Sequence, residues 1–420
     1  MKTTKKKHIQ KTQKTKIHQK IHQKIQPKII PKIIPNSIKY DPVFVIIEPP
    51  NVSEREINFT LLRKILKSYG LKECNPNQCF SKNPMLVWLN HNENSTVKLR
   101  QKYYNTPTYL QNRLINTDDI TSKEKLHLGM KEKFPEIYKK HLAHSFLLTK
   151  SWKPESNQVY IARPINVLKD KKQKGECPAG FGGKDIVIIH NTNTLEDARK
   201  NLEKYDNVLI SEYISNPLLF KKKKFHIRSY LLASIINNEF NSYMLDYGRI
   251  LTAKEEYKNE DYSNPDIHDT HSKSTDDDYF FPLDFNKANI GRDDITFNTV
   301  YKIFKQIKEI CTSASEILSE KVKTYDNSKN GFYIFGADLM IEIIKDDYNV
   351  VLIEINMKPG YHFKSNYQQI KLYTKLFTFI NNTILKNVFD NKTNNKLGEL
   401  PKKSKTSFNK FLLFSKELSR

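Results

Sequence analysis

Four cysteines in 420 residues are too few for a disulfide framework. Cys74, Cys79, Cys177 and Cys311 form no CxxC pair, and no second pair completes Cys74 and Cys79 into a zinc set. Four free thiols in a reducing compartment are expected. No apolar run reaches the roughly 18 residues that a membrane span needs. No apolar segment follows the basic start, so a secretory leader is not expected either. Acidic residues are missing from residues 1–40, which hold 12 Lys. That stretch carries half of the net charge of +24. The rest of the chain is mildly basic, which suits an acidic substrate as well as it suits a nucleic acid. An RNA-recognition aromatic pattern and a zinc set are both lacking, which argues against nucleic acid. Ser and His residues are scattered, so no catalytic triad is indicated. The expectation is a soluble cytoplasmic protein.

What is present is enough for real cores: 38% apolar residues, 11% aromatic, and length for two or three domains. Residues 1–38 contain "KIHQKIHQKIQPKIIPKIIP", a period-four repeat whose prolines exclude a long helix. This reads as a disordered basic arm, either a solvated tail or an electrostatic tether. Residues 39–105 read as a small α/β domain: strand 42–51, helix 53–69 with Phe59, Leu62, Ile65, Leu66 and Tyr69 at helical spacing, and strand 85–90. Residues 106–215 form a central lobe with a helix at 121–134 and strands at 145–152, 158–165, 185–190 and 207–214. A helix at 194–204 and the Gly-rich "GFGGKD" (180–185) belong to the same lobe. Residues 216–390 form a second lobe with long antiparallel strands at 223–237 and 242–253 and a polar loop over 254–279. A helix at 297–320, the strands 332–344 and 349–359 joined by "KDDY", and a helix at 366–388 complete it. Residues 391–420 are a basic tail. The fold class is α/β (α+β).

The run "VVLIEINMKP" (350–359) puts Glu354 and Asn356 on one face of a strand, with Ile353 and Ile355 opposite. Asp338 sits inside the preceding strand. Two carboxylates on adjacent strands, with no Arg or Lys inside either, should repel and raise each other's pKa. A divalent cation resolves this, and Asp, Glu and Asn oxygens suit Mg²⁺. The alternative is the solvated side of an edge hairpin. Arg163, the glycines and Lys184 of "GFGGKD", and the basic strand "KKKKFHIR" (221–228) precede this hairpin and suit phosphate oxygens.

This order of parts resembles the ATP-grasp enzymes and, within them, the tubulin–tyrosine-ligase-like family. The resemblance spans residues 80–375 and rests on "IARP", "GFGGKD", "LISEYISNPLL", "KFHIRSYLLAS", "FGADLM" and "LIEINMKPG". It implies an ATP-grasp architecture, in which a small N-terminal α/β domain precedes two lobes that enclose ATP. It implies Mg²⁺ on Asp338, Glu354 and Asn356, with Arg163, Gly182, Gly183 and Lys184 at the phosphates. Ser211, Glu212, Tyr213 and Ile214 match the hinge that reads adenine, and Glu212 is placed for a ribose hydroxyl. Lys224 matches a nucleotide-contacting Lys, His226 lies beside it, and Arg228 matches an Arg facing the acceptor.

The implied activity is ATP-dependent ligation, through an acyl phosphate, of a free amino acid to an acidic protein tail such as tubulin's. Glutamate is the first expectation, hence polyglutamylation, with tyrosine or glycine as alternatives. The other reading is a non-catalytic protein that binds nucleotide or an acidic polymer with its basic arms. Several positions depart from the family pattern. Arg163 replaces a Lys, His226 replaces an Asp, and Asp246 and Tyr247 stand where a basic residue usually precedes the Gly. In "IHDTHSKS", His268 and Thr270 match while His271 replaces an Asn. These departures leave the metal set untouched and bear on the acceptor side.

Overall fold

Two long strands buried along nearly their whole length, Lys223–Ile236 and Ser328–Ile344, organise the chain. The computed structural model describes residues 38–47, 56–89, 103, 105–165, 186–205, 207–259, 261–270, 279–326, 328–357, 359 and 366–389. The expected basic arm (save Ile38), the "GFGGKD" loop and the basic tail lie outside these residues. In chain order the strands are β1 (Asp41–Ile47), β2 (Lys72–Glu73), β3 (Pro84–Leu89), β4 (Thr108–Gln111), β5 (Leu114–Ile115) and β6 (Ser145–Leu147). They continue with β7 (Tyr160–Pro164), β8 (Val187–Ile189), β9 (Val208–Glu212), β10 (Leu219–Phe220), β11 (Lys223–Ile236) and β12 (Glu239–Met244). The last are β13 (Gly248–Thr252), β14 (Tyr279–Phe281), β15 (Lys323–Thr324), β16 (Ser328–Ile344) and β17 (Asp347–Asn356).

One large sheet runs β14-β13-β11-β16-β4-β3-β1-β2, with β10 and β12 also on β11 and β17 also on β16. The parallel pairing of β4 with β16 joins the N-terminal strands to the C-terminal ones, so this sheet crosses the boundaries read at 105 and 215. A separate four-stranded sheet runs β6-β9-β7-β8. The expected strand 242–253 is two strands, β12 and β13. Both pair with β11, separated by the turn at Leu245–Tyr247.

Side-chain parity on β11 and β16 decides what each face of the large sheet does. Odd-numbered Ile227, Leu231, Phe335, Leu339 and Ile341 pack beneath helix Phe297–Ser319. Even-numbered Tyr230, Leu232, Phe332 and Ile334 pack beneath helices Glu56–Ser68 and Asn366–Ile380. Further along the same even face the residues become polar: Lys224, His226 and Arg228 on β11, Asp338 on β16. An apolar layer therefore gives way to a polar cleft without any change of sheet. Each fully buried large side chain on either side contributes about 1.5–3 kcal/mol.

Tight turns set the registers. Lys221-Lys222, Asn237-Asn238 and Lys345-Asp346 all have positive φ, as two-residue hairpins of the mirror-image type require. The last of these makes the β16–β17 turn two residues rather than the four read from "KDDY". Contrary to expectation, Cys74 and Cys79 form a disulfide, with Cα atoms 5.9 Å apart. The short turn between them brings the two sulfurs within bonding reach beside buried Tyr103. Cys311 is a buried free thiol, and Cys177 lies outside the described residues.

Candidate active site

Three neighbouring strands carry one row of charge. Arg228 on β11 stands opposite Asp338 on β16, and Asp338 stands opposite Glu354 on β17. One register step on, Gly336 faces Asn356. The β16–β17 ladder shifts between Asp338 and Leu339, leaving Ile353 as an extra residue. This bulge sets the site. Without it Ile353 would face Asp338, and Glu354 would point into the core under Phe297–Ser319. Ile353 packs with Met340, Val351 and Ile214 on the cleft side, so the expectation that it points away from Glu354 does not hold, while Ile355 does face the core.

The side chains meet closely. Arg228 donates Nε to Asp338 Oδ1 and Nη2 to Oδ2, both at 2.7 Å. Asn356 Nδ2 donates to Asp338 Oδ2 at 3.0 Å and to Glu354 Oε1 at 2.9 Å. Lys123 Nζ lies 2.6 Å from Glu354 Oε2. The expected mutual repulsion of the carboxylates is therefore answered by cations from outside the hairpin, Arg228 and Lys123. Burial pulls the Arg228 guanidinium down, and Asp338 more than reverses this, leaving it above its ordinary range. Asp338 is fully buried, so the pairing is what makes its charge tolerable. Two carboxylates and a carboxamide converge within hydrogen-bonding distance. A half-turn of the Asn356 amide puts its oxygen where its nitrogen stands, which makes an all-oxygen set that fits a hard divalent cation. Among the described residues no cluster of three His, Cys, Asp or Glu competes with it.

Across the cleft, β7 presents Arg163. Its Nη2 donates to Ser211 Oγ on β9 at 3.0 Å, and Ser145 Oγ on β6 donates to the same oxygen at 2.8 Å. The other face of this small sheet, with Tyr160, Ala162, Val208 and Ile210, packs on helix Thr192–Leu202. Arg163 is buried, which lowers its pKa, while Glu354 acts the other way. The two walls thus share one electrostatic field. Between them lies helix Lys123–Lys133, whose first residue is the partner of Glu354. His127, one turn on, is buried, and its imidazole is pushed down to about 3, first by burial and then by Arg163, His144 and Lys123. Its Nδ1 has no hydrogen-bond partner among the described residues. Sequence reasoning missed Lys123 and His127. Their four-residue spacing on a helix was the available signal, although nothing local ties them to a hairpin more than 200 residues away.

The segment after β9 joins the two walls. Ile214 packs on Met340 and Val351, and Leu218 N–H bonds to the Ile341 carbonyl. Tyr213 donates or accepts at His268 Nδ1 over 2.7 Å, and Lys224 Nζ stands 3.8 Å from the centre of the Tyr213 ring. Burial draws Lys224 down to about 7. His226 sits behind the row: Nδ1 is 2.6 Å from Thr270 Oγ1, and Nε2 is 3.7 Å from Asp338 Oδ1. It is buried on the cleft face, close to Asp338. Glu212 is at the rim, 3.8 Å from His144 Nδ1. The structure thus brings together Arg163, Ser211, Tyr213, Ile214, Lys224, His226, Arg228, Asp338, Glu354 and Asn356. Gly182, Gly183, Lys184 and His271 lie outside the described residues.

Comparison with known proteins points the same way. The model of the tubulin-tyrosine ligase family matches residues 177–396. Tubulin glycylase 3D of Tetrahymena thermophila is 25% identical over 207 residues, which is 45% of this chain and 19% of that one. A probable tubulin–tyrosine ligase of Schizosaccharomyces pombe is 26% identical over 198 residues, 46% of this chain and 44% of that one. A human protein named inactive polyglycylase TTLL10 is 26% identical over 264 residues, 56% of this chain and 36% of that one. The aligned region spans less than half of each relative.

Proposed function

The chain belongs to the tubulin-tyrosine ligase family, and we propose that it is an ATP-dependent ligase joining an amino acid to a carboxylate of an acidic protein tail. One observation carries this reading: Asp338, Glu354 and Asn356 converge on one wall of a cleft whose other wall presents Arg163. Mg²⁺ held there would neutralise and orient the phosphates of ATP. The chain's own groups supply the rest. Arg163, Lys123 and Lys224 surround the phosphate path with positive charge in a partly dehydrated cleft, where such charge is worth more than in water. Ile214, Met340, Val351 and Ile353 make the apolar floor that suits a nucleobase. Neutral His127 keeps the region beside Arg163 free of a further competing charge. Arg228 spends Nε and Nη2 on Asp338, which leaves its remaining Nη N–H groups as the ones that could meet a substrate carboxylate.

The chemistry would move the γ-phosphoryl group to the acceptor carboxylate with release of ADP, giving an acyl phosphate. The amine then attacks the acyl carbon, the C–O bond to phosphate breaks, and inorganic phosphate and a proton leave as the amide forms. Proximity and charge neutralisation account for most of the rate in such transfers. For the amino acid, glycine moves ahead of glutamate, because two of the relatives described above are named glycylases. Tubulin is the acceptor printed in the names of two. The purified chain, given ATP, Mg²⁺ and labelled glycine, glutamate or tyrosine with acidic peptides, should release ADP and label the peptide. ATP binding without ADP release under every combination would identify a nucleotide-binding protein that has lost turnover. Failure to bind ATP at all would overturn the reading. Asn356→Ala should fold and lose the Mg²⁺ dependence of ATP binding.

A further inference from the structure

His127 is 7% exposed, and the fold alone does not account for its polar atoms. Lys123, His127 and Met130 follow at i, i+4 and i+7 of helix Lys123–Lys133, which sets them on one stripe. The stripe starts in the cleft, where Lys123 meets Glu354, and ends in the apolar core, where Met130 packs. His127 stands where one gives way to the other. Tyr138 meets its imidazole edge-on, with ring centres 5.9 Å apart and planes at 84°, so the ring is held by packing.

Buried polar atoms are normally hydrogen-bonded. Nδ1 of His127 has no such partner among the described residues, and neither has the buried Nε of Arg163. A sealed nitrogen without an acceptor keeps its lone pair, because a stranded N–H is the rarer and costlier arrangement. The proton therefore sits on Nε2, farther along the ring from the backbone. Burial, and then Arg163, His144 and Lys123, press the imidazole down to about 3, so it is neutral at any working pH. Those three are the charges that reach the ring, and no carboxylate is among them. Arg163 and Lys123 carry donors only. A neutral N–H set among donors calls for an acceptor from outside, and the positive surroundings favour an anion.

We propose that His127 donates its Nε2 N–H to the terminal phosphates of ATP, as the neutral member of a site completed by Arg163 and Lys123. The identity of the anion rests on the ligase reading above. Metal ions in phosphoryl transfer bridge the β- and γ-phosphates, and Lys123 pairs with the metal-type donor Glu354, so its neighbour one turn on belongs at that end of the nucleotide. A neutral donor adds a hydrogen bond there without the repulsion that a third fixed cation would bring. The amine of the incoming amino acid is the competing ligand. It is cationic before it loses a proton, and Arg163 and Lys123 repel it.

The test uses the full chain with His127→Leu and His127→Gln, titrated by calorimetry with ATP and Mg²⁺, with AMP, and with inorganic tripolyphosphate. Loss of a hydrogen bond to a charged acceptor should weaken binding of ATP and of tripolyphosphate to His127→Leu by roughly tenfold or more. AMP affinity should not change. His127→Gln, whose amide N–H reaches about as far as Nε2, should recover most of the loss. Nitrogen NMR of the parent should show the neutral Nε2–H tautomer, with a resonance that moves when tripolyphosphate is added. This last readout stands even if the leucine variant does not fold. Equal ATP affinity in His127→Leu and the parent overturns the proposal, as does an Nδ1–H tautomer or a resonance indifferent to tripolyphosphate. Unchanged ATP affinity with a raised KM for the amino acid also overturns it and assigns His127 to the amine. A parent that binds tripolyphosphate through His127 but never turns ATP over would defeat the ligase reading and leave the anion site in place.

Discussion

Arg228 and Asp338 hold each other through two parallel hydrogen bonds of 2.7 Å across β11 and β16, with both side chains buried. Removing one partner strands the other charge in a poorly hydrated site, at a cost of about 3–5 kcal/mol. Asp338→Asn and Arg228→Met should each lower stability by about that much. The combination of Arg228→Met with Asp338→Leu should recover much of the loss, because the pair together pays a desolvation penalty that apolar side chains avoid. Urea unfolding of the four proteins gives the coupling. Additive losses would mean that the two do not act as a pair.

Lys224 gives a pH dependence with a definite sign. An unfolded Lys holds its proton up to about pH 10.4. Folded Lys224 gives it up near 7 because burial disfavours the charge. Between these values the unfolded chain binds more protons, so stability rises with pH through that window and carries the full penalty below it. Lys224→Met should therefore raise the melting temperature most at pH 6–7, with the advantage fading toward pH 10. Phosphate bound beside Lys224 favours its charged form, so ATP binding at pH 8 should take up protons. Calorimetry in buffers of different ionisation enthalpy measures this uptake, and Lys224→Met should abolish it.

Lys123 lies at the start of a helix and reaches Glu354 at 2.6 Å, with both side chains partly exposed. Its contribution to stability is small for that reason, about 1 kcal/mol or less. Its contribution to the site should be larger, since it balances one of the two carboxylates of the row and adds charge beside Arg163. Lys123→Met should lower kcat/KM roughly tenfold to a hundredfold, as loss of one charged hydrogen bond does, while the melting temperature stays within a few degrees. A large fall in melting temperature with normal kinetics would reverse this division.

How much of this was legible follows from what sequence periodicity can carry. Asp338, Glu354, Asn356 and Arg228 stand out in the sequence because polar groups of these types are set inside long, otherwise apolar strands. The bulge at Ile353 does not, since one inserted residue changes parity without changing composition. The direction of Glu354 was thus inferred correctly from a pattern that, read strictly, would have put Ile353 on the opposite face. Lys123 and the β4–β16 pairing were invisible for a different reason. They depend on contacts between segments hundreds of residues apart, and local period says nothing about those. The Cys74–Cys79 bond was missed because compartment was weighed ahead of the short turn that sets the two residues 5.9 Å apart.

Two glycines should respond to the same substitution in different ways. Gly336 faces Asn356 across the β16–β17 ladder, and a Cβ there would lie 2.7 Å from Cβ of Pro359 and 3.4 Å from Cδ of Arg228. Pro359 is buried and its ring has little freedom, so Gly336→Ala must move the segment that follows the metal-type donors. The expected cost is about 1–3 kcal/mol of overpacking, with a parallel loss of Mg²⁺-dependent ATP affinity because Asn356 is displaced. Gly129 lies within the helix Lys123–Lys133, where the atoms nearest to a Cβ would belong to the Ile317 side chain, at 3.3 Å. Alanine gains about 1 kcal/mol over glycine inside a helix, which offsets the small adjustment of Ile317. Gly129→Ala should be neutral or slightly stabilising and leave ATP binding unchanged. Thermal unfolding with and without ATP and Mg²⁺ separates the two. If Gly336→Ala kept full Mg²⁺-dependent binding, the placement of Asn356 by its contact with this glycine would be wrong.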